Sequence, residues 1–229
     1  MRMISVLLIL TICCLIFPVK SHANPIPAER EFPKFLWIPI AIGGAVVTTG
    51  LLYRYIGQEN QLDVVSFKSE DIMIHLESGG AMIEGLYTFE NTGEESRKQV
   101  LVYPFKVNDD IGFPVNLSVL CNGKELEYRW KGEKEIEFEV GIPANSTIEV
   151  EVTFYQPCMG NDYTYILETT KSWGEPIERA RFTIYAYDGI YNLSTPYPFI
   201  ESVSTDGCRL YTYEAYNFMP DRDLDIEWQ

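Results

Sequence analysis

The strongest constraint on this chain is a strict alternation of apolar and acidic residues. EKEIEFEV (133–140) and TIEVEVTF (147–154) place every apolar side chain on one face and every glutamate on the other. Successive side chains of a β-strand point to opposite faces, so this pattern predicts strands with one buried and one solvated side. The residues predicted to face inward are Ile136, Phe138, Val140, Ile148, Val150, Val152 and Phe154.

A β-hairpin is the clearest local signal. Asn122-Gly123 accepts the positive φ angles of a type I′ turn, which joins two antiparallel strands through a two-residue loop. Alternating residues flank this turn on both sides. They are Val115, Leu117 and Val119 before it, and Leu126, Tyr128 and Trp130 after it. The sequence therefore predicts two paired strands of similar length here.

The remaining chain repeats short β-like runs between segments rich in Gly, Pro, Asn and Asp. Examples are DIMIHL (71–76), QVLVYPF (99–105) and RFTIYAY (181–187). Many short strands without a convincing amphipathic helix predict an all-β fold, an antiparallel β-sandwich of one or two packed units. We predict a β-sandwich over 62–157 and a second β half or subdomain over 158–229.

The amino-terminal segment predicts export and a membrane tether. Residues 1–23 have a basic start, an apolar middle and a small-x-small end, as in a signal peptide, and 24–34 form a proline-punctuated linker. Residues 35–55 contain a long uncharged run that predicts a transmembrane helix or a membrane-associated segment; an apolar strand or hairpin of the following domain is the alternative. We expect a membrane-anchored protein of the cell envelope with an extracytoplasmic β domain. The domain would be cytoplasmic if 35–55 spans with its amino end outside.

The composition disfavours nucleic acid and offers no catalytic motif. The formal net charge is -15, whereas phosphate binding requires basic residues concentrated on one face. Beyond the predicted signal peptide the chain retains one histidine, His75, which alternation places opposite Ile72, Ile74 and Leu76. One histidine excludes zinc and iron sites that need several, and no nucleophile-elbow motif accompanies it. We predict no cofactor.

Three groups of residues are candidate sites. Asp221, Asp223 and Asp225 alternate along an extended segment and could supply oxygen ligands to calcium, although charges that protect an edge strand are the more ordinary interpretation. Cys158 and Cys208 could form a disulfide in an oxidising compartment. Tyrosines are dense after residue 160, and Tyr185, Tyr187, Tyr211 and Tyr213 could form an aromatic face for a sugar or a partner protein, or belong to the core.

Three passages resemble a family of exported prokaryotic proteins of unknown function. They are SEDIMIHLESGGAMIEGLYTFENTGEESRKQVLVYPF (69–105), YILETTKSWGEPIERARFTI (165–184) and YEAYNFMPDRDLDIEW (213–228). The first passage also looks like the sandwich at the head of inter-alpha-trypsin-inhibitor heavy chains. The resemblance implies an exported β-sandwich for binding or scaffolding and supplies no catalytic residue. Relatives of this kind lack a second long apolar run between signal and sandwich, so 35–55 is a departure.

Two function classes follow from the sequence. The first is a non-enzymatic, membrane-tethered β-sandwich that binds or scaffolds a protein or polysaccharide partner in the cell envelope. The alternative is an envelope hydrolase that acts on glycans through surface carboxylates and the tyrosine-rich face. Glycoside hydrolysis needs two suitably spaced carboxylates, and a chain with 33 acidic residues does not reveal which two.

Overall fold

The structure, a computed structural model of the chain, describes residues 64–187, 189–203 and 208–229. The predicted signal peptide (1–23), linker (24–34) and apolar segment (35–55) lie outside these ranges and stay predictions. Within the described ranges, no helix is long and apolar enough to cross a membrane.

The described residues are mostly β-strand, which confirms the predicted all-β class. One short 3-10 helix, Glu168–Trp173, interrupts the strands. The strands are β1 Val65–Glu77, β2 Gly80–Asn91, β3 Arg97–Pro104, β4 Val115–Cys121, β5 Lys124–Glu125, β6 Arg129–Trp130, β7 Glu135–Ile142, β8 Ser146–Pro157, β9 Asp162–Tyr165, β10 Ile177–Ala186, β11 Ile200–Val203, β12 Arg209–Phe218 and β13 Leu224–Glu227.

The strands form one large sheet and two small ones. The eight-stranded sheet has the order β11-β12-β10-β1-β2-β8-β4-β5, the three-stranded sheet is β3-β7-β6, and β13 pairs with β9. All strand pairs are antiparallel except β1 and β10, which are parallel, so the expectation of a purely antiparallel sheet is wrong at this pair. Parallel neighbours need a long connection, and here the whole of β2 to β9 lies between them.

The alternating segments behave as predicted. Ile136, Phe138 and Val140 on β7 are buried, and so are the four predicted inward residues of β8. Alternate residues of β1, namely Ile72, Ile74 and Leu76, are buried in the same way. They belong to one core to which all three sheets contribute side chains. The alternation is therefore the sequence signal of this core.

The predicted hairpin is confirmed at its turn and wrong in its second strand. Asn122 and Gly123 have φ angles of 49° and 72°, as a type I′ turn requires. The returning strand β5 is only two residues long, and β6 joins β7 in the other sheet. The chain thus crosses between sheets after the turn.

Val115 points to the opposite face from the prediction. A register shift between Val115 and Ser118 interrupts the pairing of β4 with β8. Such an irregularity reverses the side-chain alternation beyond it. Val115 is consequently 45% exposed, whereas Val119 is fully buried.

Buried amides in this core have their hydrogen bonds satisfied. Asn91 Nδ2 donates to Glu95 O, Ile142 O and Pro143 O, and its Oδ1 accepts from Gly93 N. Gln156 Nε2 donates to two backbone carbonyls, and its Oε1 accepts from Tyr163 Oη at 3.0 Å. Unpaired buried polar groups cost free energy, so these bonds help fix how the loops meet the sheets.

Gly85 makes room for the ring of Tyr87 two residues along β2. A Cβ at Gly85 would overlap Tyr87 Oη and lie 2.7 Å from its Cζ. Because Tyr87 is buried and hydrogen-bonded, its ring cannot move aside without losing those bonds. The glycine is therefore required by packing.

Gly85→Ala should lower the free energy of unfolding by about 1–3 kcal/mol, as overpacking of a close-packed core does. Gly141→Ala on β7 is the matched control, because a Cβ there meets nothing within 4 Å. Urea unfolding of both variants measures the difference. Equal midpoints for Gly85→Ala and the unmodified chain would contradict this account.

Candidate functional site

One line of paired residues crosses six strands on the outer face of the eight-stranded sheet. Successive pairings join Val115 to Tyr155, Tyr155 to Met82, Met82 to His75, His75 to Tyr185 and Tyr185 to Leu210. We name these six side chains the outer-face row. With strands about 4.8 Å apart, five spacings make the row about 24 Å long.

The centre of the outer-face row is a stack of aromatic rings. The rings of His75 and Tyr185 are 4.5 Å apart and inclined by 5°. His75 Nδ1 lies 2.9 Å from Tyr187 Oη, and its Nε2 lies 3.6 Å from Glu84 Oε1. The rings of His75 and Tyr185 thus stack face to face across neighbouring strands.

Ion pairs lie elsewhere on this face. Arg181 pairs with Asp71, and Arg179 Nε lies 2.5 Å from Glu214 Oε1. Lys68 pairs with Glu90 at 3.3 Å and also with Glu178. The outer face thus carries a charged region in addition to the outer-face row.

The structure splits the predicted aromatic face in two. Tyr185 and Tyr187 lie on the outer side, but Tyr211 pairs with Ile184 and Tyr213 with Phe182, which face the core. Residues that are partners on neighbouring strands point to the same face of the sheet. Tyr211 and Tyr213 therefore point to the face opposite that of Tyr185 and Tyr187. The single four-tyrosine face is therefore wrong, and the core interpretation holds for Tyr211.

The three candidate calcium ligands have separate partners. Asp221 forms a bidentate pair with Arg222, Asp223 Oδ1 accepts from the backbone N–H groups of Leu167 and Glu168, and Asp225 Oδ1 accepts from Thr164 Oγ1. Within the described part of the chain, no group of three or more His, Cys, Asp or Glu residues is arranged to hold a metal.

Cys158 and Cys208 are not joined in the structure. Cys158 directly follows β8 and Cys208 directly precedes β12, and three strands of the sheet lie between β8 and β12. Four strand spacings of about 4.8 Å put the two cysteines roughly 19 Å apart, whereas a disulfide needs Cα atoms within about 7 Å. The predicted bridge does not fit this fold.

A second site lies inside the molecule, where the sheets meet. Glu70 of β1 is 4% exposed, and its Oε1 has no hydrogen-bond partner. It lines a cavity of about 30 Å³, which we name the Glu70 cavity. The other polar lining groups include Tyr87 of β2, Tyr103 of β3 and Tyr165 of β9, with Trp173 at the end of the helix.

The three tyrosines form a hydroxyl triangle. Tyr87 Oη donates to Tyr103 Oη at 2.9 Å, and Tyr165 Oη lies 2.5 Å from the former and 3.1 Å from the latter. Burial raises the pKa of Tyr103 to about 12 and the pKa values of Tyr87 and Tyr165 well above the usual range. The triangle is therefore neutral and hydrogen-bonded at physiological pH.

Desolvation of the carboxyl group raises the pKa of Glu70 to about 8. A buried carboxylate without a cation or donor is disfavoured, so the group binds a proton instead. The sequence did not single out Glu70, although counting back from Ile72 places it on the inner face. What the sequence could not show is the register shift near Phe67 and Ser69 that turns both Phe67 and Glu70 inward.

Comparison with solved structures supports the fold through one similar protein. A protein from Legionella pneumophila inferred to bind nutrients matches with a TM-score of 0.56 and 17% identity, over 71% of this chain and 66% of that one. An M1 zinc metallopeptidase from Deinococcus radiodurans matches with a TM-score of 0.46 and 10% identity, over 72% of this chain and 43% of the peptidase. This chain thus spans less than two thirds of either protein. No protein-family model and no curated protein matches the sequence.

Glu70→Gln should stabilise the protein increasingly as pH rises. The pKa of this carboxyl is ordinarily 4.5 and is about 8 in the folded chain, so the folded form keeps a proton that the unfolded form has released. Stability contributed by this protonation is complete below about 4.5 and is lost as pH rises through about 8. The advantage of Glu70→Gln over the unmodified chain should grow by at least ~2 kcal/mol across that window.

Urea unfolding at several pH values measures this difference. Glu133→Gln, in an exposed loop, is the control, and its difference from the unmodified chain should stay nearly constant. A Glu70→Gln difference that is constant, or that shrinks with rising pH, would contradict the raised pKa of Glu70.

Proposed function

We propose that this chain is a non-enzymatic, membrane-tethered β-sandwich of the cell envelope that binds a macromolecular partner through the outer-face row. The supporting observation is the row itself, a line across six strands in which Val115, Met82 and Leu210 accompany Tyr155, His75 and Tyr185. Met82, Tyr187 and Val115 in and beside the row are 38%, 39% and 45% exposed. Exposed patches of this composition are characteristic of interaction sites.

Of the two partners expected from the sequence, the row favours a protein. Tyrosine and methionine are enriched at the centres of protein interfaces, and charged residues are depleted there, as in this row. A sugar ring stacks on an exposed aromatic face, but His75 and Tyr185 turn their faces towards each other. A polysaccharide partner is therefore the less favoured occupant.

The tether and the compartment rest on residues 1–55. We propose that residues 1–23 direct export and that 35–55 hold the β domain at the membrane, with the domain extracytoplasmic. It would be cytoplasmic if 35–55 spans with its amino end outside. The inferred nutrient-binding role of the similar Legionella protein agrees with a binding function.

The glycan-hydrolase alternative has less support. Glu70 is the one acidic residue among the described residues that line the Glu70 cavity, whereas glycoside hydrolysis uses a pair of carboxyl groups. On the outer face, Asp71 and Glu214 are engaged with arginines. These contacts favour binding over hydrolysis.

A photo-crosslinking amino acid in place of Met82 should join the full chain to an envelope protein in intact cells. The same amino acid at Tyr216 is the control, because Tyr216 is more exposed than Met82 but lies in the charged region of the same face. We expect an adduct of defined mass at position 82, with about tenfold less at position 216. Mass spectrometry of the adduct identifies the partner.

Val115→Glu in the crosslinking chain should remove the adduct, because an unpaired charge would be buried at the interface. An adduct at position 82 that contains only glycan would overturn the choice of a protein partner. Absence of any adduct at position 82, or equal adducts at both positions, would overturn the outer-face row as the binding site.

A further inference from the structure

The Glu70 cavity contains two polar atoms for which the described chain provides no hydrogen-bond partner. They are the acceptor Glu70 Oε1 and the donor Trp173 Nε1. Both residues line the same cavity and are at least nine-tenths buried, with exposures of 4% and 9%. The contrast with Asn91 and Gln156, whose amides are fully bonded, marks this site as unusual within the core.

The other groups around Glu70 favour a positively charged occupant. If each hydroxyl of the triangle donates to the next, all three protons are used and only acceptor lone pairs remain for a ligand. Aromatic residues make up seven of the sixteen other lining residues, and the faces of aromatic rings attract cations. The rings of Phe67 and Phe89 lie 5.8 and 5.3 Å from the ring of Trp173.

We propose that the Glu70 cavity binds a small primary ammonium ion that also carries a hydrogen-bond acceptor, of the size and chemistry of ethanolamine. The ammonium group would donate to Glu70 Oε1 and to the hydroxyl triangle. The acceptor oxygen would receive the hydrogen bond from Trp173 Nε1. One ligand then satisfies both orphaned atoms and places its charge against the aromatic walls.

The size of the cavity limits the ligand. One water molecule requires a cavity of roughly 10–15 Å³, so a cavity of about 30 Å³ admits a molecule of only a few non-hydrogen atoms. A sugar or a nucleotide is too large. Ethanolamine combines the required charge and acceptor in four non-hydrogen atoms, and methylamine supplies the charge alone.

Binding of a cation should be linked to the ionisation of Glu70. Among the described residues of the lining, the titratable groups that face Glu70 are Tyr87, Tyr103, Tyr163 and Tyr165, whose pKa values are all raised, and Lys106 is the one basic residue. In the described structure, Lys106 forms no ion pair with Glu70. An ammonium ion would stabilise the carboxylate and release its proton, so affinity should rise with pH up to about 8.

Calorimetric titration of the full chain with ethanolamine tests the proposal. Primary amines stay protonated here, like the lysine amine with its pKa of about 10.4, so only Glu70 changes charge. We expect at least about tenfold tighter binding near pH 8.5 than near pH 6, with release of up to one proton. Ethane-1,2-diol, which has the same size and no charge, should not bind measurably.

Three variants separate the parts of the site. Glu70→Gln, expected to be at least as stable as the unmodified chain, should weaken ethanolamine binding about tenfold or more and remove its pH dependence. Trp173→Phe keeps an aromatic ring but removes the N–H, so it should weaken ethanolamine and leave methylamine unchanged. Glu133→Gln is the control and should match the unmodified chain.

Several results would overturn the proposal. They are equal binding of ethane-1,2-diol and ethanolamine, displacement of ethanolamine by sodium or potassium chloride at matched ionic strength, an undiminished affinity in Glu70→Gln, and the absence of heat or proton release. Because the cavity lies on the opposite side of the sheet from the outer-face row, crosslinking at position 82 succeeds or fails independently of this test.

Discussion

The fold depends on burying the inner face of the eight-stranded sheet against two sheets too small to be stable alone. Short isolated strand pairs have little stability in water, so β9 with β13 and β3 with β7 and β6 gain theirs from this contact. The hydroxyl triangle joins all three layers, since Tyr87, Tyr103 and Tyr165 each come from a different sheet. Burial of nonpolar surface drives the packing of the three sheets, and the hydrogen bonds of the triangle add a directional contact between them.

Glu70 lies beside the hydroxyl triangle, and its buried carboxyl group destabilises the packing there. An apolar residue of the same volume at this place would avoid the desolvation of a carboxyl group, which costs free energy whether it stays neutral or ionises. Natural sequences break such local rules mainly at functional sites. The ligand proposed for the Glu70 cavity would recover the free energy that the unsatisfied carboxyl costs, because it would stabilise only the folded form.

The sequence was sufficient for the parts of the fold that follow from local rules. The alternation of apolar and acidic residues alone identified the buried residues of β7 and β8. The dipeptide Asn122-Gly123 specified the type of turn that it forms. It was insufficient where the outcome depends on distant pairing: the parallel contact of β1 with β10, the departure of β6 to another sheet and the reversal of Val115 at an irregular register. The four-tyrosine face failed for the same reason. Its residues share a period within each strand, but only the register between strands decides which face they occupy.

One strand connects the two sites. Glu70 and His75 both belong to β1, five positions apart, so their side chains point to opposite faces of the sheet. Glu70 pairs with Tyr87 and His75 with Met82 on the same neighbour, β2. A one-residue slip of β1 against β2 would exchange the buried and solvated faces of the whole strand, and the buried Ile72, Ile74 and Leu76 forbid it. The apolar residues between the two sites therefore fix the position of each, and the cavity and the outer-face row are both consequences of a single register.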